Sequence, residues 1–515
     1  MSATTEHHEV ERAYAVGPDD VIPDLTALPD VASATEPVEN LLVATYLDTA
    51  DLALIRAGVT LRRRTGGEDA GWHLKIPAGD GRDEVRRPLG ASHRVPAPLA
   101  RAILGWTRGR AVGPVALVET RRTTRLLLDS NGEPLAEVAD DVVLGTPEDA
   151  STTSAWREVE IELVGAGGGL LDAADELLAG FGIELRREQR KIGTVLATRL
   201  AKVAVAAPGG AGPTQPASRV LHHRLHDQVA ELLRRDCDVR RGVDDGVHQL
   251  RVTCRRLRGA LATYRPLVDM GVTESLRAEL RWVARTLGDG RDAEVMHELL
   301  RSRVDAVPRR LVVGPVRRRL DRSYAQRLRA AGAHAEQVLT SRRYLRLLRR
   351  LELLVARPPW TALADEPAGE VIPRLVARDW RRLQRRVDLV LALDQGDEVA
   401  RNEALHDVRK AAKRLRYACE TLEPWWGEDA KALRKAAQEV TQVLGDRQDA
   451  AVAQRDLVRV AREARAAGES TFTFGLLHAR EEATGVALEA AFVEVWERVR
   501  TPDLRGWLGE AAAPR

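Results

Sequence analysis

Carboxylates in the N-terminal part of the chain recur at every second position. Glu9 and Glu11 are separated by one residue, and so are Glu158, Glu160 and Glu162. Because alternate residues of a β-strand share a face, each set forms a row of carboxylates. Crowded carboxylates repel one another in a low dielectric and favour a compensating cation. The spacing therefore predicts a site for a hard divalent ion such as Mg²⁺ or Mn²⁺, which prefers oxygen ligands.

Arginines alternate in the same way on other N-terminal segments. Arg62 and Arg64 share a face, as do Arg121 and Arg125. Guanidinium groups bind phosphate oxygens through paired N–H donors. Rows of carboxylates and arginines together favour a closed barrel with a charged interior that binds metal and phosphate. Spacing alone leaves open an alternative, in which these are solvated strand faces joined by cross-strand ion pairs.

The surrounding sequence supplies the elements that would position these charges. Short alternating segments with turn signals predict strands, and residues 172–179 predict an outer helix. Residues 206–218, rich in glycine and proline, predict a flexible linker. Beyond them leucine and arginine recur every three to four residues, which predicts helices. The predicted strands lie at 9–16, 60–64, 71–76, 115–129, 135–139 and 156–163.

The helical half contains an internal duplication. The segment HQLRVTCRRLR from His248 returns as HDVRKAAKRLR from His406. Downstream, LGDGRDA from Leu287 returns as LGDRQDA from Leu444. Two motifs repeated in the same order predict two related helical bundles, over residues 219–365 and 366–512.

Each copy of the basic motif forms a stripe along its helix, because positions +0, +3, +7 and +10 fall within one narrow arc. Few acidic residues interrupt either stripe, which suits a linear polyanion bound in a salt-dependent manner. The alternative is that the arginines form inter-helix salt bridges. Aromatic residues make up only 4% of the chain, and none lies within the stripes, which disfavours nucleic acid. The candidate residues are His248, Arg251, Arg255, Arg256, Arg258, His406, Arg409, Lys410, Lys413, Arg414 and Arg416.

Composition limits the class of protein. The 515 residues favour two or three domains, and three cysteines without a CxxC spacing indicate a reducing compartment. The polar N-terminus does not resemble a signal peptide, and no apolar run reaches the roughly 18–20 residues of a membrane span. We expect a cytoplasmic protein without a membrane partner.

The N-terminal segments together resemble the CYTH family, the triphosphate tunnel metalloenzymes. The resemblance rests on EVER from Glu9, YLDT from Tyr46, LIRAGVTLRRR from Leu54, WHLKIP from Trp72 and WREVEIEL from Trp156, with GRDEVR and AEVADD between them. It implies an eight-stranded antiparallel barrel that hydrolyses triphosphates with a divalent metal; some members are adenylyl cyclases. It implies catalytic metal ligands at Glu9, Glu11, Glu160 and Glu162, helpers at Glu84, Glu137, Asp140 and Glu158, and triphosphate-binding residues at Arg62, Arg64, Lys75, Arg121, Arg125 and Lys191.

The chain departs from the family pattern at two positions. Ala13 stands where the opening E-x-E-x-K signature has lysine, and Glu119 stands where a basic residue usually precedes Arg121 by two. Each departure removes a cation that would bind phosphate. They keep open a second hypothesis, a non-catalytic barrel in a polyphosphate-binding or granule-targeting protein.

The duplicated motifs resemble the CHAD domain, a histidine-containing helical family that binds inorganic polyphosphate; some members associate with polyphosphate granules. The sequence therefore predicts an α+β multidomain protein. A CYTH barrel with outer helices spans 1–203, a linker 204–218, and an all-α CHAD domain 219–512. The predicted function is a metal-dependent inorganic triphosphatase that binds polyphosphate or tripolyphosphate, with adenylyl cyclase as a less favoured alternative.

Overall fold

The computed structural model describes residues 5–164, 169–186, 190–203, 208–393 and 397–512. The chain divides into two compact units, Met1–Val205 and Ala206–Arg515. The first is a curled antiparallel sheet with short helices, and the second is helical. The predicted combination of a β-domain followed by an α-domain is confirmed.

The strands of the first unit form where apolar and charged residues alternate, so that each strand presents different faces to its two sides. The helices of this unit are short, and only one is longer than two turns. The strands are β1 Thr5–Glu9, β2 Glu11–Val16, β3 Ser33–Ala34, β4 Val38–Asp48, β5 Thr60–Thr65, β6 Gly71–Ala78, β7 Gly81–Pro88, β8 Gly113–Leu128, β9 Pro134–Pro147, β10 Ser154–Leu163 and β11 Glu184–Leu185. The helices are α1 Ala53–Arg56, α2 Ala97–Ala102, α3 Leu104–Thr107, α4 Leu170–Gly180, α5 Lys191–Val195 and α6 Ala197–Val203.

All strands belong to one sheet in the order β1-β7-β6-β5-β4-β8-β9-β10-β2-β11, with β3 beside β8. Strands β1 and β2 are consecutive and are separated only by Val10. The first pairs with β7 and the second with β10, so one N-terminal segment joins both edges of the curled sheet. The sheet is therefore a half-barrel bridged by this segment. The eight predicted long strands are present if β1 and β2 count as one, and the two-residue strands β3 and β11 are additional.

Helix α4 covers the outer face of this sheet, and helix α5 fills one end on its inner face. Helix α4 packs on the outer face, where Tyr14, Val159 and Ile161 are fully buried. Helix α5 lies against inward-facing residues such as Tyr46 and inserts Val195 into the end of the half-barrel. The outer helix predicted at 172–179 corresponds to α4. Both faces of the sheet are thus partly apolar.

A glycine permits the close approach of α5. A Cβ atom at Gly145 would lie 2.2 Å from Cγ2 of Val195. Any other residue at position 145 would push α5 away from the sheet.

The second unit consists of long helices whose apolar faces form its core. Helix α14 contains a non-helical residue, Gly427, at which two helical segments meet. The helices are α7 Ala217–Arg241, α8 Gly246–Thr263, α9 Met270–Thr286, α10 Gly288–Asp305, α11 Val316–Thr340, α12 Arg342–Ala356, α13 Ala368–Leu391, α14 Glu398–Ala466 and α15 Phe472–Val499.

The two copies of the basic motif pack against each other. Gly259 and Tyr417 each lie eleven residues after the histidine of their own motif, and a Cβ atom at Gly259 would meet Tyr417 at 3.3 Å. On one side Arg256 bonds Glu420, and on the other Arg414 bonds the backbone oxygen of Ala262. Arg256 and Arg414 are equivalent positions of the two repeats, and so are Ala262 and Glu420. The same contact is therefore made in both directions between α8 and α14. The two repeats are therefore related by an approximate two-fold axis near Gly259 and Tyr417.

The end of the predicted linker is structured. The backbone oxygens of Pro213 and Gln215 accept hydrogen bonds from Gly369 and Ala368, and Pro216 forms a β-bridge with Pro367. Residues 204–207 lie outside the described residues. The expectation of a flexible linker therefore does not hold near residue 213 and beyond, because this backbone pairs with the start of α13.

None of the helices in the described ranges is long and apolar enough to cross a bilayer.

Candidate functional sites

The inner face of the half-barrel lines a cavity of about 1140 Å³. Its walls carry inward-facing residues of eight long strands, with β1 and β2 counted as one, and of helix α5. Most of the long side chains here are charged. The charged lining consists of Glu9, Glu11, Arg62, Arg64, Lys75, Arg82, Arg86, Arg122, Glu137, Glu158, Glu160, Glu162, Arg186, Arg190 and Lys191, with Arg12, Arg125, Glu68 and Asp69 also bordering it.

Four glutamates form what we call the open carboxylate group: Glu9, Glu11, Glu137 and Glu162. Glu11 lies opposite Glu162 on β10, and Glu162 lies opposite Glu137 on β9. Burial raises the pKa of Glu162 to about 7, and the charges of Glu9, Glu11 and Glu137 add to this rise. Among the described residues, Glu137 and Glu162 have no ion-pair partner. The uncompensated negative charge of the group therefore lies at Glu137 and Glu162.

The cations of this region attach to the other two glutamates. Lys75 Nζ lies 2.5 Å from Glu9 Oε2, and Arg82 Nη1 lies 3.0 Å from Glu11 Oε1. Because both bonds are made to Glu9 and Glu11, the side of the group formed by Glu137 and Glu162 has no bonded cation among the described residues. Lys75, predicted to bind phosphate, therefore contacts carboxylates in this structure.

Glu84, predicted to assist metal binding, is fully buried and is contacted by His73, Arg86 and Lys75. His73 Nδ1 lies 2.9 Å from its Oε1, and Arg86 bonds its Oε2. Burial alone would raise the pKa of Glu84, but the hydrogen bond from His73 and the charge of Lys75 lower it well below its usual range. The sequence-based hypothesis did not include His73 or Arg86. Both side chains alternate with other charged residues on their strands.

Three arginines form a separate guanidinium group: Arg62, Arg64 and Arg122. Burial and the neighbouring charges of Arg62 and Arg122 lower the pKa of Arg64 to about 9. Arg64 is paired with Asp69, whereas the described contact of Arg62 is to the hydroxyl of Tyr46 at 3.4 Å. Because Arg64 pairs with Asp69 and Arg122 pairs with Asp141 and Glu160, Arg62 is the member whose described contacts include no carboxylate. It is suited to an anion.

A second set, the closed carboxylate group, consists of Asp141, Glu158 and Glu160. Lys191 Nζ reaches all three, at 2.6, 2.9 and 2.7 Å respectively. Arg122 Nη2 lies 2.6 Å from Asp141 and 2.5 Å from Glu160. Lys191, predicted to bind phosphate, thus neutralises carboxylates together with Arg122. This group differs from the open one because its charge is matched by the protein.

The structure places three predicted residues differently from the others. Arg121 is 70% exposed and pairs with Glu39 on the outer face, and Asp140 pairs with Arg157 there. Arg125 is exposed and borders the cavity. The inward positions on β8 and β9 belong instead to the neighbours of two of them, Arg122 and Asp141, which lie opposite each other. Each strand carries two adjacent residues of like charge, Arg121 and Arg122 on β8 and Asp140 and Asp141 on β9. The sequence therefore did not determine which residue of each pair points inward.

The two departures from the family pattern lie in different environments. Glu119 lies between Arg121 and Leu117 on the outer-facing positions of β8, so its charge does not enter the cavity. Ala13 lines the cavity and lies opposite Glu160. Only the change at position 13 therefore affects the interior, where Lys191 and Arg122 occupy both oxygens of Glu160.

Two sets of residues bring together atoms of the kind that bind metal ions. In each, the ligand atoms lie within 4.8 Å of one another: His7, Glu9 and Glu162 in one, Asp141, Glu158 and Glu160 in the other. Glu9 and Glu162 of the first set belong to the open carboxylate group, and a divalent cation would neutralise Glu162, which has no ion-pair partner among the described residues. The residues of the first set therefore fit a metal ion.

In the helical unit, the two basic stripes meet at the approximate two-fold axis. Arg255 and Lys413 each lie seven residues after the histidine of their own stripe and therefore hold equivalent positions. Burial lowers the pKa of Lys413 to about 7, and the charges of Arg409, Arg255 and Arg416 contribute. Residues of both repeats thus act on one lysine. The stripes form one shared basic surface rather than two separate ones.

About half of the stripe residues have acidic partners. Arg255, Arg258, Arg409 and Lys413 form no ion pair with the carboxylates of the described chain. The alternative of inter-helix salt bridges thus applies to some positions only. The ion-paired residues are Arg251 with Asp292, Arg256 and Arg416 with Glu420, Arg414 with Asp379, and Lys410 with Asp407.

The second duplicated motif lies beside the first. Arg251 Nη1 donates to Asp292 Oδ1 at 3.0 Å and approaches the backbone oxygen of Gly288 at 3.3 Å. At the equivalent place, a Cβ atom on Gly445 would lie 3.2 Å from Arg409 Nη2. Both glycines leave room for a guanidinium. The LGDxxDA motifs therefore position the first arginine of each stripe.

The two histidines lie at the beginning of the stripes. Burial lowers the pKa of His248, and the charges of Arg255 and Arg291 lower it further. Burial and the charges of Lys410 and Arg409 do the same at His406. Both imidazoles are therefore less readily protonated than a free histidine, because they are partly buried and lie near positive charges.

Comparisons with known proteins agree with this architecture. A family model described as CYTH domain matches residues 7–193, and one described as CHAD domain matches residues 223–458. Two Mycobacterium tuberculosis proteins, uncharacterized protein MT2285 and uncharacterized protein Rv2226, are each 35% identical over 517 residues. The match covers 96% of this chain and 97% of each relative.

Solved structures resemble parts of the chain. PptA from Streptomyces chartreusis is 25% identical, with a TM-score of 0.47, over 55% of this chain and 100% of that chain. The CHAD domain from the plant Ricinus communis is 22% identical, with a TM-score of 0.40, over 61% of this chain and 97% of that chain. HpAC1 from Hippeastrum, described as having a dominant triphosphatase activity, is 15% identical, with a TM-score of 0.22, over 39% of this chain and 99% of that chain. With both domain models matched in order and full-length relatives at 35% identity, the chain belongs to the family of proteins that join a CYTH domain to a CHAD domain.

Proposed function

We propose that the half-barrel hydrolyses the terminal phosphoanhydride bond of tripolyphosphate or short polyphosphate with Mg²⁺ or Mn²⁺, and that the helical unit binds inorganic polyphosphate. The separation of charge inside the cavity carries the proposal. In the open carboxylate group, Glu137 and Glu162 have no ion-pair partner among the described residues, and burial together with the charges of Glu9, Glu11 and Glu137 raises the pKa of Glu162. In the guanidinium group, the described contact of Arg62 is to a hydroxyl and not to a carboxylate, and burial together with the charges of Arg62 and Arg122 lowers the pKa of Arg64. A metal ion and a chain of phosphates would neutralise one group each.

The protein's own residues have distinct tasks in this reaction. Arg62, Arg64 and Arg122 bind the non-bridging phosphate oxygens and hold the substrate in one direction along the cavity. Glu9 and Glu162 would hold the metal ion, which when bound would neutralise charge on the phosphate oxygens. A water oxygen forms the new bond to the terminal phosphorus while the bond from that phosphorus to the bridging oxygen breaks. The bridging oxygen leaves with diphosphate, or with the shortened chain of a longer substrate, and the proton lost by the water passes to the solvent. Helix α5 closes one end of the half-barrel and limits access of bulk water.

The closed carboxylate group supports this arrangement without taking part in it directly. Lys191 joins Asp141, Glu158 and Glu160 and fixes the start of α5 to β9 and β10. Arg122 belongs both to this group and to the guanidinium group. Its position toward the phosphates therefore depends on Asp141 and Glu160.

Polyphosphate binding follows from the shared basic surface of the helical unit. Arg255, Arg258, Arg409 and Lys413 have no carboxylate partner in the described chain, and two of them meet across the two-fold axis. A linear polyanion crossing the axis would contact both repeats and release counterions. Such binding would also retain the protein on polyphosphate granules.

A non-catalytic barrel is the second candidate function. It is favoured by Ala13, which leaves the cavity one cation short, and by Lys191, which is occupied by three carboxylates. Adenylyl cyclase activity has less support, since Tyr46, the tyrosine in the described cavity lining, uses its hydroxyl to accept from Arg62.

Phosphate release from tripolyphosphate, long polyphosphate, ATP and thiamine triphosphate tests the proposal, with and without Mn²⁺. We expect metal-dependent release from tripolyphosphate that is lost in a Glu9→Gln, Glu11→Gln variant, while polyphosphate retention is unchanged. Absence of release from every substrate would support the non-catalytic alternative. Formation of cyclic AMP from ATP would support the cyclase.

A further inference from the structure

A histidine reaches the open carboxylate group from the first strand. His7 lies two residues before Glu9 on β1, so its side chain shares the inward face. His7 Nε2 lies 3.1 Å from Glu9 Oε1 and 3.3 Å from Arg86 Nη2. Together with Glu162, one atom of each residue lies within 4.8 Å of the others. One nitrogen and two carboxylate oxygens thus converge.

The other histidines nearby do not have a free nitrogen directed at this group. His73 uses Nδ1 at Glu84 and Nε2 at the backbone oxygen of Asp69. His8 lies on the opposite face of β1, where it contacts Asp83 at 3.2 Å and Asp80 at 3.5 Å. His7 is therefore the histidine placed to supply a ligand among the described residues.

We propose that His7 is a direct metal ligand, so that the ion of the half-barrel is held by one imidazole nitrogen together with Glu9 and Glu162. The inference rests on the proposed metal-dependent function of the same cavity. Carboxylates alone suit Mg²⁺ and Mn²⁺ alike, whereas an imidazole ligand favours the transition metal. This site therefore prefers Mn²⁺ over Mg²⁺ by more than an all-carboxylate site would.

Arg86 and Lys75 explain how the site accommodates the ion. In the described structure Arg86 lies beside His7 Nε2 and Glu9 Oε1, and Lys75 lies at Glu9 Oε2. A divalent ion bound among His7, Glu9 and Glu162 would replace these contacts with Glu9. Arg86 retains Glu84 as a partner, and Lys75 retains Glu11 and Glu84 at 3.9 and 4.0 Å. Neither cation is left without a carboxylate.

The test uses MnCl₂ and the full chain, and its readout does not depend on activity. Electron paramagnetic resonance measures free Mn²⁺ during a titration, and spin-echo modulation detects nitrogen bonded to bound Mn²⁺. The variants are His7→Ala and, as a matched control on the opposite face of the same strand, His8→Ala. We expect His7→Ala to lose the nitrogen modulation and to bind Mn²⁺ roughly tenfold more weakly, with Mg²⁺ competition changed much less. His8→Ala keeps both properties.

The outcomes separate the inference from the proposed function. If Glu9→Gln, Glu11→Gln weakens Mn²⁺ binding but His7→Ala keeps the nitrogen modulation, the imidazole is not a ligand and the carboxylate site stands. If Glu9→Gln, Glu11→Gln binds Mn²⁺ as the unchanged protein does, the proposed metal site itself is wrong. A His7→Asn variant covers a failure of His7→Ala to fold, since it retains size and polarity but should lose the same modulation.

Discussion

Arg255 and Lys413 hold equivalent positions in the two helical repeats, and the charge of Arg255 helps to lower the pKa of Lys413 to about 7. Each repeat alone would present a separate row of cations. Because α8 and α14 cross near Gly259 and Tyr417, the rows meet at one place. The duplication thus concentrates positive charge at the junction between the repeats.

Removing both charges at this junction should weaken polyphosphate binding strongly. For Arg255→Ala, Lys413→Ala we expect at least tenfold weaker binding and a slope of log affinity against log salt that is smaller by about one to two, since two phosphate contacts are lost. Retention of labelled polyphosphate at several salt concentrations measures both. Arg498→Ala, a change at an exposed arginine paired with Glu439, serves as the control. An unchanged slope in the double variant would contradict the shared surface.

Polyphosphate binding should weaken as the pH rises above 7. The free protein loses the proton of Lys413 from about pH 7 upward, whereas bound phosphates favour its charged form, so binding takes up a proton in this range. Below pH 7 the lysine is protonated in both states and this contribution to the pH dependence vanishes. Dissociation constants measured from pH 6.5 to 9 would show the slope.

A charge-retaining variant provides the control for the pH effect. Lys413→Arg keeps a positive side chain over the whole range, so its affinity should be nearly independent of pH between 7 and 9. If the slope persists in Lys413→Arg, a group other than Lys413 takes up the proton.

Asp141 and Asp140 should differ sharply in their effect on stability, although they are neighbours. Asp141 is fully buried between Arg122 and Lys191, whereas Asp140 pairs with Arg157 on the outer face. We expect Asp141→Asn to lower the free energy of unfolding by about 3 kcal/mol, since it leaves buried cations short of charge. Asp140→Asn should cost less than about 1 kcal/mol. Urea denaturation of the full chain measures both, and equal costs would contradict the assigned faces.

Gly145 should tolerate a side chain only if α5 is made smaller. Because a Cβ atom there lies 2.2 Å from Val195, Gly145→Ala should destabilise the protein by about 1–3 kcal/mol. The double variant Gly145→Ala, Val195→Ala should recover part of this loss, since the second change removes the clashing methyl groups. Thermal unfolding of both variants checks the packing of α5. Failure of Val195→Ala to recover any stability would show that the helix is displaced for another reason.

The sequence alone determined the charged faces wherever a single charged residue alternated with an uncharged neighbour. Glu9, Glu11, Glu160 and Glu162 could be assigned to one side because their neighbours are mostly apolar. The duplicated basic motif was equally clear, since helical periodicity separates its cations from the leucines of the core.

Tertiary structure decided the faces where two like residues are adjacent. At Arg121 and Arg122, and at Asp140 and Asp141, alternation allows either residue to point inward, and both sides of this sheet bury apolar groups. The register of β8 against β9 places Arg122 opposite Asp141, on one face of a hairpin. That face points inward because it pairs with Glu160 and Lys191, which lie further along the chain, so no local pattern encodes the choice. The proximity of Arg255 to Lys413 likewise results from how the two repeats pack.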